Sequence, residues 1–209
     1  MADIAEILLE GSYLYYQDDT NYSQENFKLV EHPNLQTFHL YSEILSRIET
    51  GEFLKILVRY EMNQHYMPTL CRIERSIGSK YSQELFKFDL AAGVLNYSFQ
   101  NSQSTQEFTK NINSKHYLST PAFSTTTLFT LSKKFDATGR TPIVLLSTNN
   151  DWSYKGPPEE KIIYGDHNPR EVIDFVVNGN TLQGTLLRLY EHDSTHATSE
   201  SPVEVYLSK

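Results

Sequence analysis

Several short constellations in this chain of 209 residues hold side chains able to do chemistry. The first is Arg59, Glu61, Arg72 and Glu74, where arginines and glutamates alternate with apolar residues in two neighbouring stretches. If those stretches pair as a hairpin, the four charges share one face. They then form either a solvent-side charge ladder, with each pair contributing a few tenths of a kcal/mol to about 1 kcal/mol, or the wall of a cavity. In a cavity, the arginines would hold a carboxylate or phosphate and a glutamate would serve as base. The second is His39 with Glu43, four residues apart on the same side of an alternating run. A histidine near a carboxylate is a general base or a metal ligand when the geometry allows, and a rim position otherwise. The third is Gln64-His65-Tyr66-Met67-Pro68, a turn whose His and Tyr suggest a binding edge or lid. The fourth is Asn149-Asn-Asp-Trp152-Ser-Tyr154, which places the one Trp in a loop bounded by Gly and Pro. Such a ring covers a pocket mouth or pins the loop.

Two further groups carry less. His192-x-x-x-His196 has metal-ligand spacing only on a helix, and the Thr, Ser and Pro around it read as a loop. Cys71 is the one cysteine, so an internal disulfide and a Cys-rich metal site are excluded. Its place in an alternating run marks it as a small buried hydrophobe. No metal and no cofactor is expected. The chain lacks G-x-S-x-G, G-x-x-x-x-G-K-[ST], G-x-G-x-x-G and H-E-x-x-H, which removes common hydrolase, nucleotide-binding and zinc-protease readings. Enzymes without short motifs remain.

These residues need elements to position them, and the strongest pattern is period two. Phe38, Leu40, Ser42 and Ile44 fall on one face, with His39, Tyr41, Glu43 and Leu45 on the other. Leu54, Ile56, Val58, Tyr60 and Met62 then alternate with Lys55, Leu57, Arg59 and Glu61. Cys71, Ile73 and Ile77 follow, then Phe86, Phe88 and Leu90, then Leu95, Tyr97 and Phe99. Turns fall at Gly51, at residues 63–68, at Gly78 and at Gly93. Residues 35–100 thus read as an antiparallel meander. Residues 3–16 read as a short helix followed by a strand, residues 18–24 as a turn, and residues 101–120 as a strand with long loops. Phe123, Leu128, Leu131 and Phe135 show helical spacing after Pro121, with Ser119 or Thr120 as N-cap. The pattern predicts one helix over 121–135, able to plug the concave side of a curved sheet. Further strands are expected at 142–147, 160–164, 171–177, 181–191 and 203–207, with Asn178-Gly179 as a hairpin turn and 192–201 as a polar loop.

Composition bounds the function. Fourteen Tyr and 11 Phe supply rings for a pocket or a half-wet sheet face. A net charge of −8 without a basic cluster disfavours nucleic acid and anionic membranes as partners. No apolar stretch is long enough for a transmembrane helix, and the N-terminus has neither the basic nor the apolar region of a signal peptide. A cytoplasmic location is expected if Met1 is native, and a periplasmic one if an export signal has been removed.

The order of elements resembles bacterial half-barrel proteins of the lipoprotein-carrier type. The meander 35–100, the helix-like 121–135 and the late strand 201–208 carry that resemblance. A closed lipocalin-like barrel would give nearly the same pattern. The resemblance implies a curved sheet around plug segments and a hydrophobic-ligand cavity. It supplies no functional residue.

The expectation is therefore one mainly β domain over 1–209: a curved antiparallel sheet forming a half-barrel or barrel, with a plug helix near 121–135. It would bind a small hydrophobic or aromatic molecule in the concave face, with Tyr60, Tyr97, Trp152, His65 and Tyr66 as ligand contacts. The alternative is a cofactor-free isomerase, cyclase or lyase drawing on His39, Glu43, Arg59, Glu61 and Arg72 in the same cavity.

Overall fold

The computed structural model describes residues 5–17, 19–112, 116–126, 128, 140–149, 152–168, 170–177, 179–191 and 203–208. The chain groups into two compact units, Met1–Ser132 with Leu146–Glu159, and Lys133–Leu145 with Glu160–Lys209.

The first unit is built on an open, curved sheet of eight antiparallel strands in sequence order. These are β1 (Glu6–Gln17), β2 (Thr20–His32), β3 (Thr37–Arg47), β4 (Phe53–Asn63), β5 (Pro68–Ile77), β6 (Lys80–Asp89), β7 (Val94–Asn101) and β8 (Thr105–Asn111). β1 and β8 are its two ends, so the arrangement is a half-barrel and not a closed barrel. The meander read from period two is β3 to β7. Its register aligns the apolar positions into rows across the sheet. Leu29, Leu40, Tyr60, Cys71, Phe86 and Tyr97 are successive cross-strand partners, and none of these six side chains is more than 3% exposed. Each large apolar side chain so buried contributes roughly 1.5–3 kcal/mol. Cross-strand packing along such rows is what fixes the register, because a one-residue slip would turn every row to solvent. At the β7 entry Gly93 has φ +65°, and a Cβ there would meet the Ile112 carbonyl oxygen at 3.1 Å, so only glycine fits.

Three readings need correction. Residues 6–17 are one strand, with no helix among its described residues, and β2 begins at Thr20 inside the stretch read as a turn. β1 lies at the sheet edge with most of both faces exposed, so it lacks the alternation that one-sided burial imposes. Gly11 does not break it. A Cβ there would touch the Phe27 ring at 3.2 Å, so its bareness lets the ring lie across the strand. In 101–120 the chain forms β8 and a short β9 (His116–Ser119).

The plug appears as a short helical turn at residues 124–126 and 128; residues 127 and 129–135 lie outside the described part. Ala122 and Leu128 are buried in the same cluster as the inner face of the sheet, and Phe123 meets Tyr13 edge-on at 5.0 Å. Thr120 Oγ1 accepts the Ala122 amide at 3.1 Å. The amides of Phe123 and Ser124 instead find Glu25 of β2, at 2.8 and 3.1 Å.

The chain passes along β10 (Arg140–Ser147) between the two groupings. The second unit adds β11 (Glu160–His167), β12 (Ile173–Val177), β13 (Asn180–Glu191) and β14 (Val203–Ser208). β13 is its organising strand. β12 pairs with Asn180–Gly184, β11 with Leu187–Glu191, and β14 with Gly184–Leu189. Val177 faces Asn180 across the expected two-residue turn, where Gly179 has φ +78°. Ile143, Ile163, Leu187 and Leu189 are buried. The loop 192–201, with His192 and His196, lies outside the described residues. Among the described residues no helix is long and apolar enough to cross a membrane.

Candidate functional site

Three charged residues of the first unit occupy the apolar register. Glu25 follows Ser23 and precedes Phe27 on β2. Arg75 follows Ile73 on β5, and Glu84 precedes Phe86 on β6. Period two therefore turns all three toward the core. Arg75 is 4% exposed, while Glu25 and Glu84 are fully buried. A buried charge is tolerated only when paired and hydrogen-bonded.

Glu25 is satisfied by four donors: the hydroxyls of Tyr15 and Ser42 and the amides of Phe123 and Ser124. It is a structural clasp that ties the plug to the sheet. Burial and the Glu25 carboxylate together push the Tyr15 phenol well up, so it remains a donor.

Arg75 and Glu84 form the second centre. In register Arg75 faces Ser82 and Glu84 faces Ile73, so the two charges are diagonal neighbours, within reach of long side chains. The Arg75 Nη1 to Glu84 Oε1 distance is 2.9 Å. The other carboxylate oxygen accepts the Asn149 amide at 3.0 Å. Burial raises the Glu84 carboxyl above its ordinary value; Arg75 and the Asn149 amide pull the other way without cancelling it.

This pair fixes one end of a loop that covers the sheet. Asn101 Nδ2 donates to the Trp152 carbonyl at 3.0 Å, and Tyr154 packs against Phe99 with ring centroids 6.0 Å apart. Between loop and sheet lies a cavity of 220 Å³ lined by Tyr97, Ser147, Thr148, Asn149, Lys155 and residues 156–159. Most polar groups in that wall are already engaged. Thr148 Oγ1 donates to the Ser119 carbonyl at 2.9 Å, Ser147 Oγ to the Glu159 carbonyl at 3.2 Å, and Asn149 Nδ2 to the Ser153 carbonyl at 2.9 Å. The Tyr97 hydroxyl is not. Tyr97 is 2% exposed and has no hydrogen-bond partner among the described residues. Burial, then the nearby Glu84 charge, push its phenol far above the ordinary value. It is a protonated donor held at the wall of a cavity. No family model, curated protein or solved structure matches this chain. The reading of the site therefore rests on its geometry.

The other expected site residues are dispersed. Tyr60 is 3% exposed in the central core row, and the Leu118 backbone is its hydrogen-bond partner. Trp152 is half-buried beside the cavity without lining it. His65 is exposed at the β4–β5 tip, and Tyr66 stacks on Phe38 at 4.6 Å with φ +56°. Asn63 Oδ1 holds that tip by accepting the amides of His65 and Met67. His39 and Glu43 are not a pair. Four residues of strand span about 13 Å, and Glu43 instead meets Lys55 at 2.6 Å. His39 lies 4.4 Å from His32, ring to ring. Arg59 faces Arg72 across the β4–β5 ladder, and Glu61 faces Leu70. Among the described residues Arg72 pairs with Glu74 of its own strand, at 3.8 Å. These five all sit on the sheet face opposite the core rows. Glu43 and Arg59, with Lys28 and Tyr41, line a second cavity of 360 Å³ there, while His39, Glu61 and Arg72 do not. Among the described residues no group of three or more His, Cys, Asp or Glu could hold a metal ion. Cys71 is fully buried, and desolvation holds its thiol protonated.

Asn149 was read as part of the Trp152 loop, but Arg75 and Glu84 were not read as site residues. The signal was present: a charge at an alternating position whose neighbours two residues away are Ile or Phe.

Proposed function

We propose that this protein is a binding module whose ligand occupies the 220 Å³ cavity under the 147–159 loop. The reading is carried by Tyr97, which lines that cavity with a buried ring and whose hydroxyl has no protein partner among the described residues. A ligand acceptor oxygen in place of water at that hydroxyl would contribute about 0.5–1.5 kcal/mol net. Drug-sized ligands occupy pockets of roughly 300–1,000 Å³, so this cavity suits a compact molecule, about one ring in size. Pro157, Pro158 and the Tyr97 ring give it an apolar side. The ligand class is thus a small aromatic or alicyclic molecule bearing a carbonyl, carboxylate or phenolate oxygen. Glu84 has both oxygens engaged and Tyr97 is held protonated, which supports a donor role over a catalytic base.

Thermal-shift screening with small phenols, benzoates and cyclic ketones tests this. A true ligand at 100 times its Kd should stabilise the fold by about 2.7 kcal/mol. Tyr97→Phe should keep the fold and weaken that ligand about tenfold, the value of one hydrogen bond near 1.4 kcal/mol. Stabilisation by no compound in these classes, or affinity indifferent to Tyr97→Phe, would sink the proposal.

A further inference from the structure

The 360 Å³ cavity on the outer face of the eight-stranded sheet shares no lining residue with the cavity beside Tyr97. Its volume falls in the roughly 300–1,000 Å³ range of small-molecule sites. One cross-strand row runs through it. Glu10 faces Lys28, Lys28 faces Tyr41, Tyr41 faces Arg59, and Arg59 faces Arg72 on β5. Two arginines directly opposite one another in a ladder repel, and that pairing is destabilising.

Nearby carboxylates relieve the repulsion only in part. Glu43, in the cavity wall, is held by Lys55 at 2.6 Å. Glu10 has Lys28 opposite, and the Lys28 ammonium lies 5.4 Å from the Tyr41 ring centroid, a cation–π distance. Glu74 lies 3.8 Å from Arg72. Arg59 is exposed and makes no ion pair among the described residues, with Glu61 on the same face of β4 included. We infer that this groove binds a small organic phosphate or sulfate ester. Its tetrahedral oxyanion sits between Arg59 and Arg72, and its ring lies along the groove against Leu57 and Tyr41. A guanidinium grips an oxyanion through two parallel N–H···O bonds, and a tetrahedral group offers a separate edge to each arginine. The anion supplies the counter-charge that the ladder lacks at Arg59. Glu10 and Glu43 in the wall favour one such group over a polyanion.

Isothermal titration calorimetry at low salt, with phenyl phosphate and phenyl sulfate as probes, reads the outcome. At least one should bind about tenfold or more tighter than inorganic phosphate, and more weakly as ionic strength rises. Arg59→Gln and Arg72→Gln, both on the outer face, should each keep the circular dichroism spectrum and weaken that probe by about tenfold or more. Tyr97→Phe should leave its affinity unchanged. Binding of neither probe overturns the inference. So does inorganic phosphate that binds as tightly as the better probe, or an affinity that survives both arginine substitutions. Affinity lost in Tyr97→Phe alone overturns it as well, by placing the probe in the other cavity. The two cavities have separate walls, so failure here would leave the Tyr97 reading untouched.

Discussion

Arg75 and Glu84 show how one side chain decides the fate of another. Each alone would be a buried, uncompensated charge, and removing one partner of such a pair costs about 3–5 kcal/mol. Urea unfolding should show a loss of that size for Arg75→Ala, while Arg75→Met with Glu84→Leu should recover most of it. The pH dependence follows from the direction of the Glu84 shift. The folded state holds its proton more tightly than the unfolded chain, whose ordinary value is 4.5. Between that value and the raised one the folded state binds more protons, so the Glu84 contribution to stability falls as pH rises through the window. Wild-type stability measured relative to Glu84→Gln should therefore be highest in acid and decline toward neutrality; a difference flat in pH would contradict the assignment. In unit two, His167 has the converse behaviour. Burial lowers its imidazole against the opposing Asp166, and its Nε2 lies 2.9 Å from the Thr185 hydroxyl. Its contribution is present above the ordinary value of 6.5 and is lost as pH falls through the lowered one.

Among the elements, those buried on one face were readable and those without that asymmetry were not. Phe53–Asn63 shows its alternation because every second residue meets the core. β1 hid because most of both faces is exposed, only Tyr13 and Tyr15 being half-buried, and the start of β2 hid because Ser23 and Glu25 are polar residues in buried positions. The plug was read from apolar spacing, yet its clasp is Glu25, almost 100 residues earlier in the chain. Glu25→Ala should leave buried amides and hydroxyls unsatisfied and cost at least about 2 kcal/mol. Hydrogen exchange at Phe123 and Ser124 should speed up beyond the global change; protection unchanged there would rule out the clasp.

The whole molecule carries a net charge of −8. Self-repulsion of that charge opposes the compact state, and added salt screens it. The urea midpoint should rise between low and physiological ionic strength. A fall would mean that specific ion pairs such as Glu43–Lys55 outweigh the net charge.

The sequence by itself determined the class of fold, the five-strand meander and the face each of its residues takes, because these follow from period two and from turn residues a few positions apart. It also placed Tyr97 on the inner face. Only the tertiary structure decided that Arg59 meets Arg72, that Glu43 belongs to Lys55 and not His39, and that Arg75, Glu84 and Asn149 hold a loop over Tyr97. Those facts depend on cross-strand register and on one contact spanning 65 residues, and no local pattern in a single chain encodes them.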